Sequence, residues 1–353
     1  MMRSCRLIVL LALTLSALAA GAVSAAGLRA TLEVDRAWLG AQDDVVASVT
    51  ITNDSARTMV VPRWQVPGAR LEADLFQVTL DGRPVEYQGI LVKRPAPTPA
   101  DFVAIAPGQS ISGSTELSRH YDMASGGEYL VAYRLDLAGA NRLAELSSEA
   151  DMAASQAVAI WRDAPIREAI DWEAINALPA PQGLSFTNCS SSQQSTVTTA
   201  VGNATTYATG AKNYLVGKTY STVGPRYTTW FGAKNSSRFN TVKSHYTAIE
   251  SAFQTRPVVV DCSCTDSYYA YVYPTQPYKI YVCAAFWSAP ATGTDSKAGT
   301  LVHEMSHFNV VASTDDWAYG QTACKNLANS NPKKAVDNAD SHEYFAENTP
   351  AQN

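Results

Sequence analysis

The first half of the chain alternates apolar and polar positions with a period of two. Four runs follow this pattern, at residues 28–34, 45–51, 75–80 and 129–135. Such alternation is typical of strands that bury one face, and Asp81-Gly82 after the third run is a common hairpin turn. Several short strands at this spacing predict an all-β sandwich of the immunoglobulin-like type.

The second half mixes longer helical segments with a short alternating stretch. Helical patterns run from Ser190 to about Leu215, from Ser237 to Phe253 and from Ala339 to Glu347. Residues 268–282 are rich in tyrosine and alternate, and Pro274 and Pro277 bracket a turn, so this stretch predicts a hairpin. The combination predicts an α+β unit from residue 184 to residue 353.

Composition divides the chain where the pattern changes. Residues 148–176 look helical or mixed, and the Pro- and Gly-containing segment 178–183 is typical of an exposed linker. Lysine occurs once in residues 27–183, as Lys93, and nine times in residues 184–353. A length of 353 residues also favours two domains. We therefore expect a β-sandwich domain with a helical linker at 27–183 and an α+β domain at 184–353.

The first 26 residues have the layout of a signal peptide. Arg3 and Arg6 precede an apolar run at residues 7–18, and small residues follow at 23–26. No later stretch approaches the roughly 18 apolar residues of a membrane span. We therefore expect a secreted, extracellular protein that is not bound to a membrane. The net charge of −5, without a basic tract, argues against a nucleic-acid partner.

Residues 303–307 read His-Glu-Met-Ser-His and carry the strongest chemical signal in the chain. On a helix, His303 and His307 lie one turn apart on one face, so both imidazoles can bind one zinc ion while Glu304 lies beside the open coordination position. Only five histidines occur in the chain, so two of them at this spacing favour a metal site. Asp295 is the candidate N-cap of this helix.

A catalytic zinc takes a third protein ligand, and the residues alone leave its identity open. The histidine-rich extension of the metzincins is excluded, because Val310 and Ser313 stand where glycine and histidine are needed. Glu343 or Glu347, on a later helix, would complete one kind of site. Asp316 would complete another from a tight loop.

Several segments of the second half resemble the aspzincins, the deuterolysin family of zinc endopeptidases. They include Gly-Thr-Leu-Val-His-Glu at 299–304, Thr-Asp-Asp-Trp-Ala-Tyr-Gly at 314–320 and Asn-Ala-Asp-Ser-His-Glu-Tyr-Phe at 338–345. The likeness runs from about Asn188 to the C-terminus and looks most like the peptidyl-Lys branch. It implies a zincin-type fold, one Zn²⁺ per chain, Asp316 as the third ligand and Tyr319 as a hydrogen-bond donor to the oxyanion.

The resemblance also implies a specificity and two disulfides. Asp340 and Glu343 match the acidic residues that line the lysine pocket (S1′) of the peptidyl-Lys branch, which implies cleavage on the N-terminal side of lysine. Three residues apart on a helix, they share a face and can bind an ammonium group. The alternative is a helix capping box. The implied disulfides leave Cys324 as a buried free thiol; they are Cys189–Cys262 and Cys264–Cys283.

The implied chemistry needs few residues. Glu304 acts as general base on a zinc-activated water and then protonates the leaving amine, while Tyr319 stabilises the oxyanion. The expected substrates are proteins or peptides that contain lysine. Two alternatives stay open: an aspzincin protease of broader specificity, and a non-enzymatic secreted binding protein on a protease scaffold.

The N-terminal domain is expected to be a propeptide that covers the cleft as an intramolecular inhibitor of a monomeric enzyme. Residues 174–188 contain no lysine, so strict lysine specificity would prevent self-cleavage in the linker. The scarcity of lysine upstream would equally protect the propeptide from its own enzyme. A further hypothesis is that Lys93, in a loop with Pro95 and Pro97, occupies the lysine pocket as a pseudo-substrate.

Overall fold

The structure, a computed structural model, describes residues 18–19, 23–25, 27–41, 43–136, 152–163 and 183–353. Short strands dominate its first part, the N-terminal β region, which ends at residue 163. The strands are β1 Leu18–Ala19, β2 Val23–Ala25, β3 Leu28–Val34, β4 Trp38–Leu39, β5 Val46–Asn53, β6 Met59–Pro62, β7 Phe76–Leu80, β8 Arg83–Pro84, β9 Leu91–Lys93, β10 Phe102–Ile105, β11 Ser110–Glu116, β12 Gly127–Asp136, β13 Met152–Ala154 and β14 Val158–Arg162. Single 3-10 turns cover Arg63–Gln65, Pro99–Asp101 and Leu117–Arg119.

Two sheets enclose the core of the N-terminal β region. One has the order β1-β3-β5-β11 with β2 beside β3, and the other has the order β4-β14-β12-β7-β8 with β13 beside β12, while β6 and β10 form a ribbon. The four predicted strands are confirmed, and in β3 the apolar residues at every second position are buried. Asp81 and Gly82 join β7 to β8 with φ angles of 48° and 76°, as the hairpin signal predicted. The immunoglobulin-like arrangement itself stays a prediction.

The prediction that residues 148–176 are helical or mixed is wrong where the structure describes them. Strands β13 and β14 lie there, and both pair antiparallel with β12. In β14, Val158 and Ile160 are buried whereas Trp161 is exposed, so the segment has the alternation of a strand with one inward face. Residues 164–176, the linker at 178–182 and most of the predicted signal peptide lie outside the described residues.

Helices dominate the C-terminal α+β region, residues 183–353. They are α1 Ser191–Val216, α2 Pro225–Phe231, α3 Ser236–Thr255, α4 Ala284–Ser288, α5 Lys297–His307, α6 Gln321–Ser330, α7 Pro332–Val336 and α8 Ala339–Glu347. Four alanines of α1, at positions 200, 204, 208 and 211, are buried on one face. Their small side chains let α1 pack closely against α3 and α5, which places α5 inside the region.

A mixed sheet lies beside these helices and extends across the two regions. Its strands β15 Gly183–Thr187, β16 Pro257–Asp261 and β18 Lys279–Val282 are parallel, and β17 Ala270–Val272 pairs antiparallel with β18 as the predicted hairpin. Strand β9 of the N-terminal β region adds to the free side of β17, with Lys93 opposite Ala270. No sequence pattern predicted strand β9.

Both implied disulfides are confirmed. Cys189 bonds to Cys262 across 73 residues of sequence, and Cys264 bonds to Cys283 across 19. A disulfide that closes a loop of this length typically contributes about 2–4 kcal/mol to the stability of the fold. Among the described residues Cys324 is a free cysteine, and it is buried as predicted. No helix in the described part of the chain is long and apolar enough to cross a membrane.

Candidate active site

Helix α5 carries the His-Glu-Met-Ser-His motif through the centre of the C-terminal α+β region. All of its residues are buried. The N-cap is Ser296, whose hydroxyl accepts from the N–H of Gly299, so the prediction of Asp295 as N-cap is wrong by one residue. Gly299 lets α8 approach, because a Cβ there would lie 2.1 Å from Oε1 of Glu347. The two helices therefore face each other across the site.

His303, His307 and Asp316 converge with the spacing of a metal site. The Nε2 atoms of the two histidines lie 3.0 Å apart. Asp316 Oδ1 lies 3.3 Å from Nε2 of His303, and Asp316 Oδ2 lies 3.5 Å from Nε2 of His307. Ligand atoms around a tetrahedral zinc lie about 3.3 Å apart. The three side chains, all buried, thus fit a zinc ion, whereas Glu343 faces the other side of the His303 ring.

The second ring nitrogen of each histidine lies within 3 Å of an oxygen atom. Nδ1 of His303 lies 2.9 Å from Oδ1 of Asp340, and Nδ1 of His307 lies 2.8 Å from the carbonyl oxygen of Thr314. A proton held at Nδ1 leaves the Nε2 lone pair free for a metal and fixes the ring orientation. Asp340 therefore contacts a histidine of the candidate metal site.

Glu304 lies beside the histidines with a fully buried carboxylate. Neither of its oxygens has a hydrogen-bond partner within the described residues, so both are available to a water or ligand in the site. Burial raises the pKa of Glu304 to about 7, against the opposing effect of His303 and His307. A carboxylate with this pKa can take and return a proton near neutral pH.

The loop that presents Asp316 is held by backbone and amide hydrogen bonds. The side-chain oxygen of Asn338 accepts from the N–H groups of Trp317 and Ala318. Asp315 accepts from the N–H of Asp316 and is not part of the group formed by His303, His307 and Asp316. The sequence did not identify Asn338 as the anchor of this loop, since its partners lie about 20 residues upstream.

The other candidate for third ligand, Glu347, lies elsewhere. Its carboxylate accepts from the N–H and hydroxyl of Ser296 and from the N–H of Asp295 at the start of α5. Glu347 thus holds the N-terminus of the motif helix. With Glu347 placed there, Asp316 is the carboxylate that joins the two histidines.

Lys93 of the N-terminal β region extends into the buried acidic pocket of the C-terminal α+β region. Its Nζ lies 2.7 Å from Glu343, 3.1 Å from Asp340 and 3.5 Å from Asp295. The rings of Tyr269 and Tyr344 flank the ammonium at 5.4 and 5.6 Å. Lys93 is 0% exposed, so its charge is compensated by these groups alone within the described residues.

The charges in this pocket stabilise one another. Burial lowers the pKa of the Lys93 ammonium, but Asp340 and Glu343 outweigh burial and hold the pKa well above its ordinary value. Against the opposing effect of burial, Lys93 and His303 hold the pKa of Asp340 below its usual range. Burial raises the pKa of Glu343, so Asp340 is the more readily ionised carboxyl group of the pair.

Asp340 and Glu343 do not form the capping box that was the alternative reading of their spacing. The N-cap of α8 is Asn338, which makes no side-chain capping bond, and Oδ2 of Asp340 accepts from the N–H of Gly320 in the Asp316 loop. Asp295 was missed as a pocket residue. Its backbone is left-handed, with φ 50°, and its carboxylate accepts from Tyr344. An acidic residue next to a helix start predicts a cap, so no local signal could assign it to the pocket.

The peptide before Lys93 lies along the site in an extended conformation. Strand β9 is antiparallel to β17, and the N–H of Tyr269 donates to the carbonyl of Lys93 at 3.1 Å. The hydroxyl of Tyr319 donates to the carbonyl of Val92 at 2.9 Å. Burial raises the pKa of Tyr319 well above its ordinary value, so the hydroxyl stays a donor. Val92-Lys93 is thus presented with its carbonyl on Tyr319 and its lysine in the acidic pocket.

Comparison with known proteins gives matches along the whole chain. Residues 217–347 match the aspzincin family, described as lysine-specific metallo-endopeptidase. An extracellular protease of Aeromonas hydrophila is 42% identical over 97% of this chain and 98% of its own length. A peptidyl-Lys metalloendopeptidase of Grifola frondosa is 39% identical over 87% of this chain and 88% of its own length. A solved zinc peptidase from Grifola frondosa is 52% identical, covers 47% of this chain and 100% of that one, and has a TM-score of 0.45.

The contact between Asp340 and His303 predicts that Asp340 supports metal binding as well as the acidic pocket. In the full chain, Asp340→Ala should weaken zinc binding about 10- to 100-fold, the usual effect of removing the acceptor behind a metal-binding histidine. Asp340→Asn keeps an acceptor oxygen and should retain most of the affinity. Competition with a chromogenic zinc chelator measures this. Glu343→Ala is the control, and equal losses in the two alanine variants would contradict the assignment.

Proposed function

The chain belongs to the aspzincin family of zinc metallo-endopeptidases, and from that premise we propose that it hydrolyses peptide bonds on the N-terminal side of lysine. The relative from Grifola frondosa that aligns over most of the chain is named for peptidyl-Lys cleavage. We further propose that the protein is secreted and made as a latent precursor. A relative that aligns over nearly the whole chain is named an extracellular protease.

One observation carries the specificity. Lys93 fills a pocket of buried carboxylates while the carbonyl just before it accepts from Tyr319. A substrate cleaved before lysine needs this same register, with the scissile carbonyl at the oxyanion donor and the lysine beyond it. A substrate with a neutral side chain at this position would leave Asp340 and Glu343 without a cation, so its binding is strongly disfavoured.

The proposed metal ligands are His303, His307 and Asp316. Zinc bound to them would polarise the scissile carbonyl and lower the pKa of water. Asp340, through Nδ1 of His303, keeps the Nε2 lone pair directed at the metal position. The loop hydrogen bonds of Asn338 hold Asp316 in place.

The remaining steps belong to two side chains. Glu304 takes a proton from the attacking water and delivers it to the backbone nitrogen of the lysine, which is the leaving group. The pKa of Glu304, about 7, permits both transfers. Tyr319 donates its hydroxyl hydrogen to the oxygen that becomes negative in the transition state. The buried surroundings strengthen both interactions, because water does not screen them.

Latency follows from the same contacts. The N-terminal β region would act as a propeptide because β9 occupies the edge of the sheet and Lys93 the pocket, where a substrate must bind. This supports the pseudo-substrate hypothesis for Lys93. A buried ion pair of this kind holds the two regions together, since removing one partner leaves an uncompensated charge.

The chemistry predicts that Glu304→Gln abolishes turnover without loss of zinc. Glutamine has nearly the same shape but cannot accept a proton, so kcat should fall at least about 10³-fold. The assay is cleavage of a lysine-containing peptide by activated protein, with zinc content measured in parallel and a chelator control. Wild-type rate at matched zinc content would refute the assignment of Glu304.

Specificity is tested with peptides that differ only after the scissile bond, as lysine or its neutral isostere norleucine. The wild type should cleave the lysine peptide preferentially, and Glu343→Gln should reduce that preference at least about tenfold, because a buried charge pair is lost. Mass spectrometry identifies the products. The assignment is wrong if Glu343→Gln, at full zinc occupancy, cleaves the same sites with the same preference.

Latency is tested by Lys93→Met in the full chain. Methionine removes the ammonium, so the uncleaved precursor should hydrolyse a lysine peptide at least about tenfold faster than the wild-type precursor. Initial rates are measured while gels show an intact chain. Arg57→Met, which removes an exposed cation from the same region, is the matched control. A Lys93→Met precursor as inactive as the wild type would rule out the pseudo-substrate contact.

A further inference from the structure

The residue after Lys93 is also held in the site. Arg94 is 5% exposed, and its guanidinium lies against three aromatic rings. The guanidinium carbon is 4.8 Å from the ring centre of Trp64, 5.0 Å from that of Tyr268 and 5.9 Å from that of Tyr319. A substrate would place the side chain that follows its lysine at this position.

Two kinds of group surround Arg94. Trp64 belongs to the N-terminal β region, as does Glu72, whose carboxylate lies 2.6 Å from Nη2. Tyr268 and Tyr319 belong to the C-terminal α+β region and would remain after removal of a propeptide. Nη1 of Arg94 has no hydrogen-bond partner among the described residues, so the ring faces contribute much of its environment.

A carboxylate of the C-terminal α+β region is connected to this position through Arg70 and Glu72. Asp266 pairs with Arg70 at 2.9 Å, and the same Arg70 nitrogen lies 3.8 Å from the Glu72 carboxylate that binds Arg94. Tyr268 donates its hydroxyl to Glu72. Departure of the N-terminal β region would release both Asp266 and the Tyr268 hydroxyl from these partners. The region left behind keeps two ring faces and one uncompensated carboxylate.

We propose that Tyr268, Tyr319 and Asp266 form a subsite for a guanidinium side chain directly after the substrate's lysine. The enzyme then favours Lys-Arg sequences and cleaves before the lysine. The proposal rests on the proposed function, because it uses the register that places Lys93 in the acidic pocket. Arg94 would then occupy the position of a substrate residue, through its contacts with Tyr268 and Tyr319, in addition to its ion pair with Glu72.

Three peptides that differ only in the residue after lysine test the subsite. That residue is arginine, citrulline or alanine, and citrulline keeps the planar shape of arginine without its charge. With wild-type enzyme activated from the full chain, kcat/KM should be roughly fivefold higher for arginine than for citrulline, and lowest for alanine. Asp266→Asn should reduce only the advantage of arginine over citrulline.

The variant Tyr268→Leu should reduce the advantage of the citrulline peptide over the alanine peptide to about twofold or less, because a ring face is lost, while Asp266 still favours arginine over citrulline. Tyr220→Leu, which changes an exposed tyrosine in the loop between α1 and α2, is the control and should keep the wild-type ratios. Equal kcat/KM for the three peptides in the wild type, or unchanged ratios in Tyr268→Leu, would overturn the subsite while leaving lysine cleavage intact. Failure to cleave any of the peptides before lysine would instead overturn the proposed function.

Discussion

The arrangement of the site depends on one buried ammonium group. Lys93 is inaccessible to solvent, and so are its partners Asp340 and Glu343. Each charge alone would cost several kcal/mol to bury, but together they compensate one another. The pairing of strand β9 with β17 in the C-terminal sheet places the lysine at these carboxylates. The contact links the two regions through buried charges and has the form that we propose for a bound substrate lysine.

Asp340 connects this contact to the metal position. It lies against the Lys93 ammonium, faces Nδ1 of His303 and accepts from the N–H of Gly320 in the loop that presents Asp316. The acidic pocket, the His303 ring and the Asp316 loop therefore share one carboxylate. Helices α5 and α8 can approach closely enough for this because Gly299 has no side chain. The acidic pocket and the metal position are physically coupled in such a site, because truncation of Asp340 removes a contact from both.

Local patterns predicted the parts of the site that are local. The spacing of apolar and polar residues was sufficient to predict the motif helix and the long helices. The assignment of Asp316 as a ligand required a family resemblance, because Asn338 holds its loop from about 20 residues further along the chain. Asp295 and strand β9 could not be predicted, since their partners lie far away in sequence. Residues 158–162 were misread as helical or mixed, because a short apolar run has too few positions to separate a period of 2 from one of 3.6.

We expect the precursor to bind its own Val92-Lys93 segment as it would bind a substrate. A crystal structure of the zinc-loaded Glu304→Gln full chain, with diffraction recorded on both sides of the zinc absorption edge, would show whether it does. The expected result is a zinc peak among the three proposed ligands, the Lys93 ammonium between its carboxylates and the Val92 carbonyl at Tyr319. A zinc peak elsewhere, or a Lys93 side chain in solvent with the acidic pocket open, would contradict it.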